Sequence, residues 1–453
     1  MKRTFTVLAC VSALVLAACT GDSQLPTPTG KGGVRAINAI PGSPFIEFRI
    51  EERSLTGLTY KSSSTPVLYD NFAYNFNFDI DEPGAAEQRR IATVPLQVEA
   101  GREHVFALTG TIDDPTVLTW TTDLRTWDGT ETVFEMRFAH LSVTLDDVDV
   151  FFQDPDDPVT AGGHVARLAY GDIMDFADFA ADGTYKITIT AAGDVNVVHF
   201  ESSTLEFTSQ SSTTMSLFDG NENDTGPYVL GSMSSSGQAL RISDPAYLPT
   251  IRLVHGASNL QAVDVYRDEL LTEVVTTNVM PGVPTADIEV PAEDTTLYFT
   301  PAGSVATTLF SEAIGSPPSG VPSELFLIGE SDNTWRGVNL AVDRSSSSTI
   351  VKFTVFNGAY NNQLLEIFVV ARDEAIGADQ LPTVPRVSYG LPSNTAVLVA
   401  GSYDLYLASP GTRDAVGGPF PFDVALGDVV TLMAIDDVDP AVVQIIDVTV
   451  SNP

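Results

Sequence analysis

"IRLVHGASNLQAVDVYR", residues 251–267, decides how this chain is read. Ile251, Leu253 and His255 alternate with Arg252 and Val254, and beyond a short polar stretch Val263 and Val265 flank Asp264. Alternation at period two marks a strand with one face turned to a core. The pattern returns three times: "VRAINAIPGSPFIEFRI" from Val34, "MRFAHLSVTLDDVDVFF" from Met136 and "VKFTVFNGAYNNQLLEIFVV" from Val351. Each copy has a base on its first strand (Arg35, Arg137, Arg252, Lys352) and an acid on its second (Glu47, Asp149, Asp264, Glu366). Base and acid both have outward parity. That predicts an ion pair between neighbouring strands or, alternatively, a recurring contact that docks one unit on the next. The inward row of the first strand ends in His140 or His255 in two copies and in Asn38 or Asn357 in the others. Asparagine replaces histidine poorly as a general base or metal ligand. Both can bond nearby backbone, so this position is expected to tie off the strand.

Two later landmarks follow each copy. One is a turn and an alternating strand, "GREHVFALTG" at 101, "GTYKITITAAG" at 183, "TTLYFTPAG" at 295 and "GSYDLYLASPG" at 401. Its distance from the acid is longest in the first copy, which predicts lengthened strands and a longer loop around "FAYNFNFDIDEPGAAEQRR". The other is a further strand, as in "FTSQSSTTMSLFD", "SELFLIGE" and "DVVTLMAID". The elements are short, rich in Val, Ile, Thr, Phe and Tyr, and bounded by Gly, Pro, Asp or Asn. The expected fold class is all-β: tandem immunoglobulin-like antiparallel β-sandwiches of about seven strands. The expected units are 34–133, 134–248, 249–347 and 348–453, arranged as a rod or a bent string of beads.

Ahead of them, Met1-Lys2-Arg3 and the apolar run to Ala18 have the layout of a signal peptide, 1–18. Leu16-Ala17-Ala18-Cys19 resembles the bacterial lipobox, which implies cleavage before Cys19 and lipidation of its thiol. Thr20 in place of an aspartate resembles the outer-membrane sorting pattern. Residues 19–33, rich in Pro and Gly, read as a flexible tether. Cys10 lies in the signal, so a disulfide framework is not expected and packed cores must supply stability. The net charge of −36, from 59 acids and 23 bases, argues against nucleic acid and bare anionic lipid as partners.

The repeat resembles the bacterial domain of unknown function 4397 (DUF4397), whose members open with a "VRxVHAS…AVDVY" stretch. "IRLVHGASNLQAVDVY" is nearly complete, "MRFAHLSVTLDDVDVF" is close, and the first and fourth copies diverge, with Asn38 for the histidine and a two-residue insertion. The family's later "AGTYxxxV…AG" strand is matched by "DGTYKITITAAG". The resemblance, over roughly 34–453, implies export, surface attachment and a β-sandwich. It brings no activity and no functional residues.

Other chemistry is thinly represented. His104, His140, His164, His199 and His255 are scattered, which disfavours zinc. "DGNENDTG" at 219–226 offers Asp219, Asn221 and Asn223 at the first three oxygen positions of an EF-hand loop. Asp224 and Leu230 stand where that motif needs Gly and Glu, so these are weak calcium candidates. Phe72, Tyr74, Phe76 and Phe78 share one face of a strand, a core row or a sugar platform. Trp120, Trp127 and Trp335 fall near unit junctions. No nucleophile elbow, phosphate loop or His-Glu-x-x-His is present, and no catalytic residue or cofactor is expected. The expectation is a lipid-anchored protein of the bacterial envelope, at the outer membrane, with a structural, adhesive or ligand-binding role toward a protein or glycan. A carbohydrate-binding accessory and a hydrolase are the alternatives.

Overall fold

The computed structural model describes residues 27–234, 240–331, 334–439 and 441–449; the signal segment and Cys19 lie outside the described residues. The described chain is all-β, with no helix long and apolar enough to cross a membrane. The first unit has eight strands: β1 (Lys31–Asn38), β2 (Ile46–Ile50), β3 (Arg53–Leu58), β4 (Val67–Asp70), β5 (Ala73–Ile80), β6 (Arg89–Gln97), β7 (Arg102–Gly110) and β8 (Pro115–Asp123). One sheet has the order β4-β1-β7-β8, the other β3-β2-β5-β6. Val34, Ala36, Phe48, Phe76, Phe78 and Phe106 fill the space between them.

The same two orders recur in strands that run from Val133 to Ser243, Thr250 to Leu340 and Val351 to Asp447, each time around a core of its own; in the second unit each sheet gains a fifth strand, Leu205–Glu206 in one and Leu240–Ser243 in the other. The sandwich is as expected, with two differences in detail. β1 pairs with β7 in parallel, and so do its counterparts, Val133–His140 with Ser212–Asp219, Thr250–His255 with Pro322–Ser331 and Val351–Asn357 with Val429–Asp436. The order also departs from the ABED and CFG sheets of an immunoglobulin domain, because β1 sits between β4 and β7.

Sequence boundaries shift slightly. β1 begins at Lys31, inside the stretch read as tether, and Val133 opens the second unit's first strand. One landmark differs from the expectation. "GREHVFALTG" is β7, the counterpart of "SSTTMSLFD", whereas the true counterpart of "GTYKITITAAG" is β5. The first copy therefore has no lengthened strand before that landmark, but the longer loop is present, at 81–88 between β5 and β6. The confusion has a physical source: β5 and β7 both alternate and both follow a turn, and only pairing separates them.

The units are not beads. Ile37, Ala39, Val105 and Ala107 on the outer face of the first unit's β1 sheet pack on Leu141, Phe218 and Met233 of the second. Val254, Phe326 and Ile328 of the third pack likewise on Phe356, Met433 and Ile446 of the fourth. Phe326 and Phe356 stack with centroids 4.1 Å apart. The four sandwiches thus form two face-to-face pairs, in which the first strands of three units are buried on both sides and that of the fourth is half-buried at Lys352 and Thr354.

Candidate functional site

The repeated bases sit at these faces. Arg35 donates to the Ser234 carbonyl of the second unit at 2.7 Å. Arg137 answers from the second unit, donating to Thr122 Oγ1 on β8 at 2.8 Å and to Thr214 Oγ1 at 2.9 Å. In the second pair, Arg252 donates to the Val448 carbonyl, just past the fourth unit's last strand. Lys352 donates to Asp343, just past the third unit's last strand, at 2.7 Å. Each base therefore reaches the end of its partner's counterpart of β8. The docking alternative describes this position; the ion pair with the repeated acid does not form. The base is on the β1 sheet and the acid on the β2 sheet, so both point away from the core, but in opposite directions.

Burial shapes the electrostatics. It pulls the Arg137 guanidinium down to about 10, since its hydrogen bonds go to hydroxyls, and it lowers Arg35 against the pull of Glu103. Arg252 instead contacts Glu324, whose carboxyl is raised by its own burial.

The acids close hairpins. Asp149, Asp264 and Glu366 accept from the amides of Gly193, Gly303 and Gly411 at 2.8, 2.7 and 3.1 Å. These glycines have φ of 81°, 75° and 72°, a left-handed conformation that disfavours a side chain. Asp149 also takes a bidentate bond from Arg167, at 2.7 and 2.9 Å, which holds its carboxyl below the usual range. Glu47 differs because its unit has a longer loop here, and it pairs with Arg49 at 3.2 Å.

The histidine and asparagine pairs do one job. His140 Nε2 lies 3.0 Å from the Asp146 carbonyl and His255 Nε2 lies 3.1 Å from that of Gln261. Asn357 donates to the Asn362 carbonyl at 3.0 Å, and Asn38 to Ser43 Oγ at 2.8 Å. All four side chains are buried and bind the loop after the first strand, and the longer imidazole reaches one residue farther.

The calcium candidates are engaged elsewhere. Asp219 accepts from the Val143 amide at 2.8 Å and from Ser142 and Thr144. Asn221 Oδ1 accepts from Lys61 Nζ at 2.8 Å, and Asn223 donates to Asp343 at 2.8 Å. Asp224, almost fully buried, pairs with Lys61 of the first unit and with Arg241, the latter at 2.8 Å. Two side-chain cations thus occupy the neighbourhood of the candidate calcium loop. Among the described residues, no group of three or more His, Cys, Asp or Glu is placed to hold a metal ion.

Between the first and second units, beside the apolar contact, a cleft of about 530 Å3 opens, with Arg35, Thr122, Trp127, Glu135, Phe176 and Thr214 in its lining. Arg125 stacks on Trp127 with its guanidinium 3.9 Å from the ring centroid, and Arg137 on Phe176 at 4.3 Å. Sequence reasoning missed this site because it is assembled from two units. The available signal was the outward row of β1 and β7, where Ile37, Val105 and Ala107 stand on a face expected to be wet. Trp120 packs at that contact and Trp127 lines the cleft, whereas Trp335 lies against its own unit's core. Phe76 and Phe78 are fully buried and Tyr74 packs on the same core, so these three are core and not a sugar platform, whereas Phe72, half-buried, precedes the strand and does not belong to the row.

Comparison with known proteins adds one finding. Residues 32–151 match the family model described as "Domain of unknown function (DUF4397)", a span that covers the first unit and the opening two strands of the second. No curated protein matches the chain.

Proposed function

We propose, with residues 32–151 belonging to the DUF4397 family as the premise, that this is a lipid-anchored protein of the bacterial envelope. Its body carries a structural, adhesive or ligand-binding role without chemistry of its own. One observation supports this best: the positions the sequence repeats are spent on construction. Bases dock units, acids close hairpins, and His or Asn ties a loop. A catalytic repeat would leave such groups facing a cleft with partners to spare. The acidic surface implied by a charge of −36 suits a solvated body held off the membrane.

The anchor is tested by Cys19→Ala. Loss of labelled palmitate and release from the membrane fraction are expected, and retention of both would sink the lipoprotein reading. The body is tested by capture of envelope proteins and glycans on the purified protein, with and without calcium. Turnover of a polysaccharide or ester panel would count against the non-catalytic role.

A further inference from the structure

We propose that the cleft between the first and second units binds a short saccharide, with Trp127 and Phe176 as apolar walls and Arg35 as a charged donor. This rests on the ligand-binding role above and names its ligand class. At about 530 Å3 the cleft is of small-ligand size.

Three observations converge on it. Arg35 is 3 % exposed, and its Nε has no hydrogen-bond partner. The Glu103 carboxylate is 3.8 Å from that nitrogen, past hydrogen-bonding reach. A buried N–H at a cleft wall is costly until an oxygen meets it. Beneath the cleft, Arg137 is also buried and bonds only hydroxyls, so two guanidinium groups lie there without a carboxylate in hydrogen-bond contact.

The second pair supplies an internal comparison. Its cleft at the equivalent arginine, about 470 Å3, is lined by Arg252, Thr285, Asp287, Asp447 and Thr449 and has no aromatic wall. Arg252 Nε is unbonded too, but another nitrogen of that guanidinium contacts Glu324. Docking therefore needs the arginine and not the aromatics. Trp127 and Phe176 are additions peculiar to the first pair.

The lining selects the class. A sugar ring presents a C–H face, which rests on an aromatic ring, and a rim of hydroxyls that both donate and accept. Thr122, Ser212, Thr214, Gln210, Glu103 and Glu135 offer both roles around the two rings. Acidic residues among the lining and a charge of −36 disfavour a polyanion, and the polar rim disfavours an acyl chain. Arg125 and Arg137 over the rings hold them in place ahead of binding.

The test is calorimetric titration of the full-length protein in detergent with cellotriose, maltotriose and chitotriose, and with trigalacturonate as the acidic arm. At least one neutral probe is expected to bind, with affinity at least tenfold lower in Trp127→Ala and in Phe176→Leu at unchanged melting temperature. Trp127→Phe should recover most of the loss and Trp335→Ala should bind as wild type. Unchanged affinity in the Trp127 and Phe176 variants would overturn the site while leaving a saccharide-binding role. Binding of trigalacturonate alone would overturn the neutral preference. Binding of no saccharide would overturn the class, and capture of an envelope protein would then still support the broader role.

Discussion

His255 uses one ring nitrogen and keeps the other dry: Nε2 meets the Gln261 carbonyl at 3.1 Å, and Nδ1 is buried with no hydrogen-bond partner. The neutral ring fits this site; a second proton would create an unsatisfied buried donor, at a cost of about 1–3 kcal/mol. Burial accordingly pushes its pKa below 6.5. The folded-state value is depressed, so the unfolded chain takes the proton first. The stabilisation is complete above about pH 6.5 and drains as pH falls through the folded value. Thermal melts between pH 7 and 5 should show a stability loss that shrinks in His255→Asn, and equal slopes would refute the assignment. At pH 7, His255→Leu strands the Gln261 carbonyl and should cost about 1–3 kcal/mol. His255→Asn should cost less, because Asn357 makes the equivalent bond with a shorter arm. Equal damage from both would show that the bond is not what the position supplies.

At the scale of elements, the β1 sheets carry two loads, a core on one face and a neighbouring unit on the other. Arg252 and Glu324 lie opposite each other on parallel strands in that second interface, both almost fully buried. Removing one partner of a buried pair costs about 3–5 kcal/mol where no second base remains, and here Arg344, 3.6 Å from the Glu324 carboxylate, offsets part of that cost; replacing both with apolar groups is often neutral. Arg252→Met should therefore lower the melting temperature steeply, and Arg252→Met with Glu324→Leu should regain much of it. A double variant no better than the single would mean that the Arg252 bond to Val448, rather than charge balance, dominates. Period-two alternation made the strands legible, and comparing four copies revealed that His and Asn share a role. The docking face was harder to read. Ile37 and Val254 stand on the parity assigned to solvent, and an apolar residue there looks like an ordinary surface residue until its partner from another unit is known. The base and acid were mispaired for a related reason: parity gives a side chain's face within a strand and not the sheet to which the strand belongs.

Across the whole molecule, the loop 219–226 joins what the sandwiches alone would leave apart. It takes Lys61 from the first unit, the Thr225 amide bonds Gly320 of the third at 2.9 Å, and Asn223 Oδ1 accepts from the Arg344 amide at 2.6 Å. Glu222 accepts from Ser346 at 2.8 Å. Because these oxygens are already engaged, millimolar calcium or a chelator is expected to leave the melting temperature unchanged; a rise with calcium would show that a metal displaces Lys61. The same loop makes the connection between the two pairs testable. Arg344, in the segment that leads from the third unit to the fourth, is 4 % exposed and bonds Asp287 at 2.9 Å, so trypsin should not reach it in the native protein. Asp224→Ala removes the carboxylate that half-buried Lys61 and more exposed Arg241 share, a loss on the order of 1–3 kcal/mol. That loss falls on the junction and not on any sandwich core. Limited trypsinolysis of the variant should cut after Arg344 and give the fourth unit as a separate band on a denaturing gel, while each core stays protected. Asn223→Ala, which removes the bonds to Asp343 and the Arg344 amide but strands no charge, should give slower cutting at the same bond. Uniform degradation in place of one early cut would mean that the loop supports the second unit's own stability, and the two pairs would then be joined by something other than this junction.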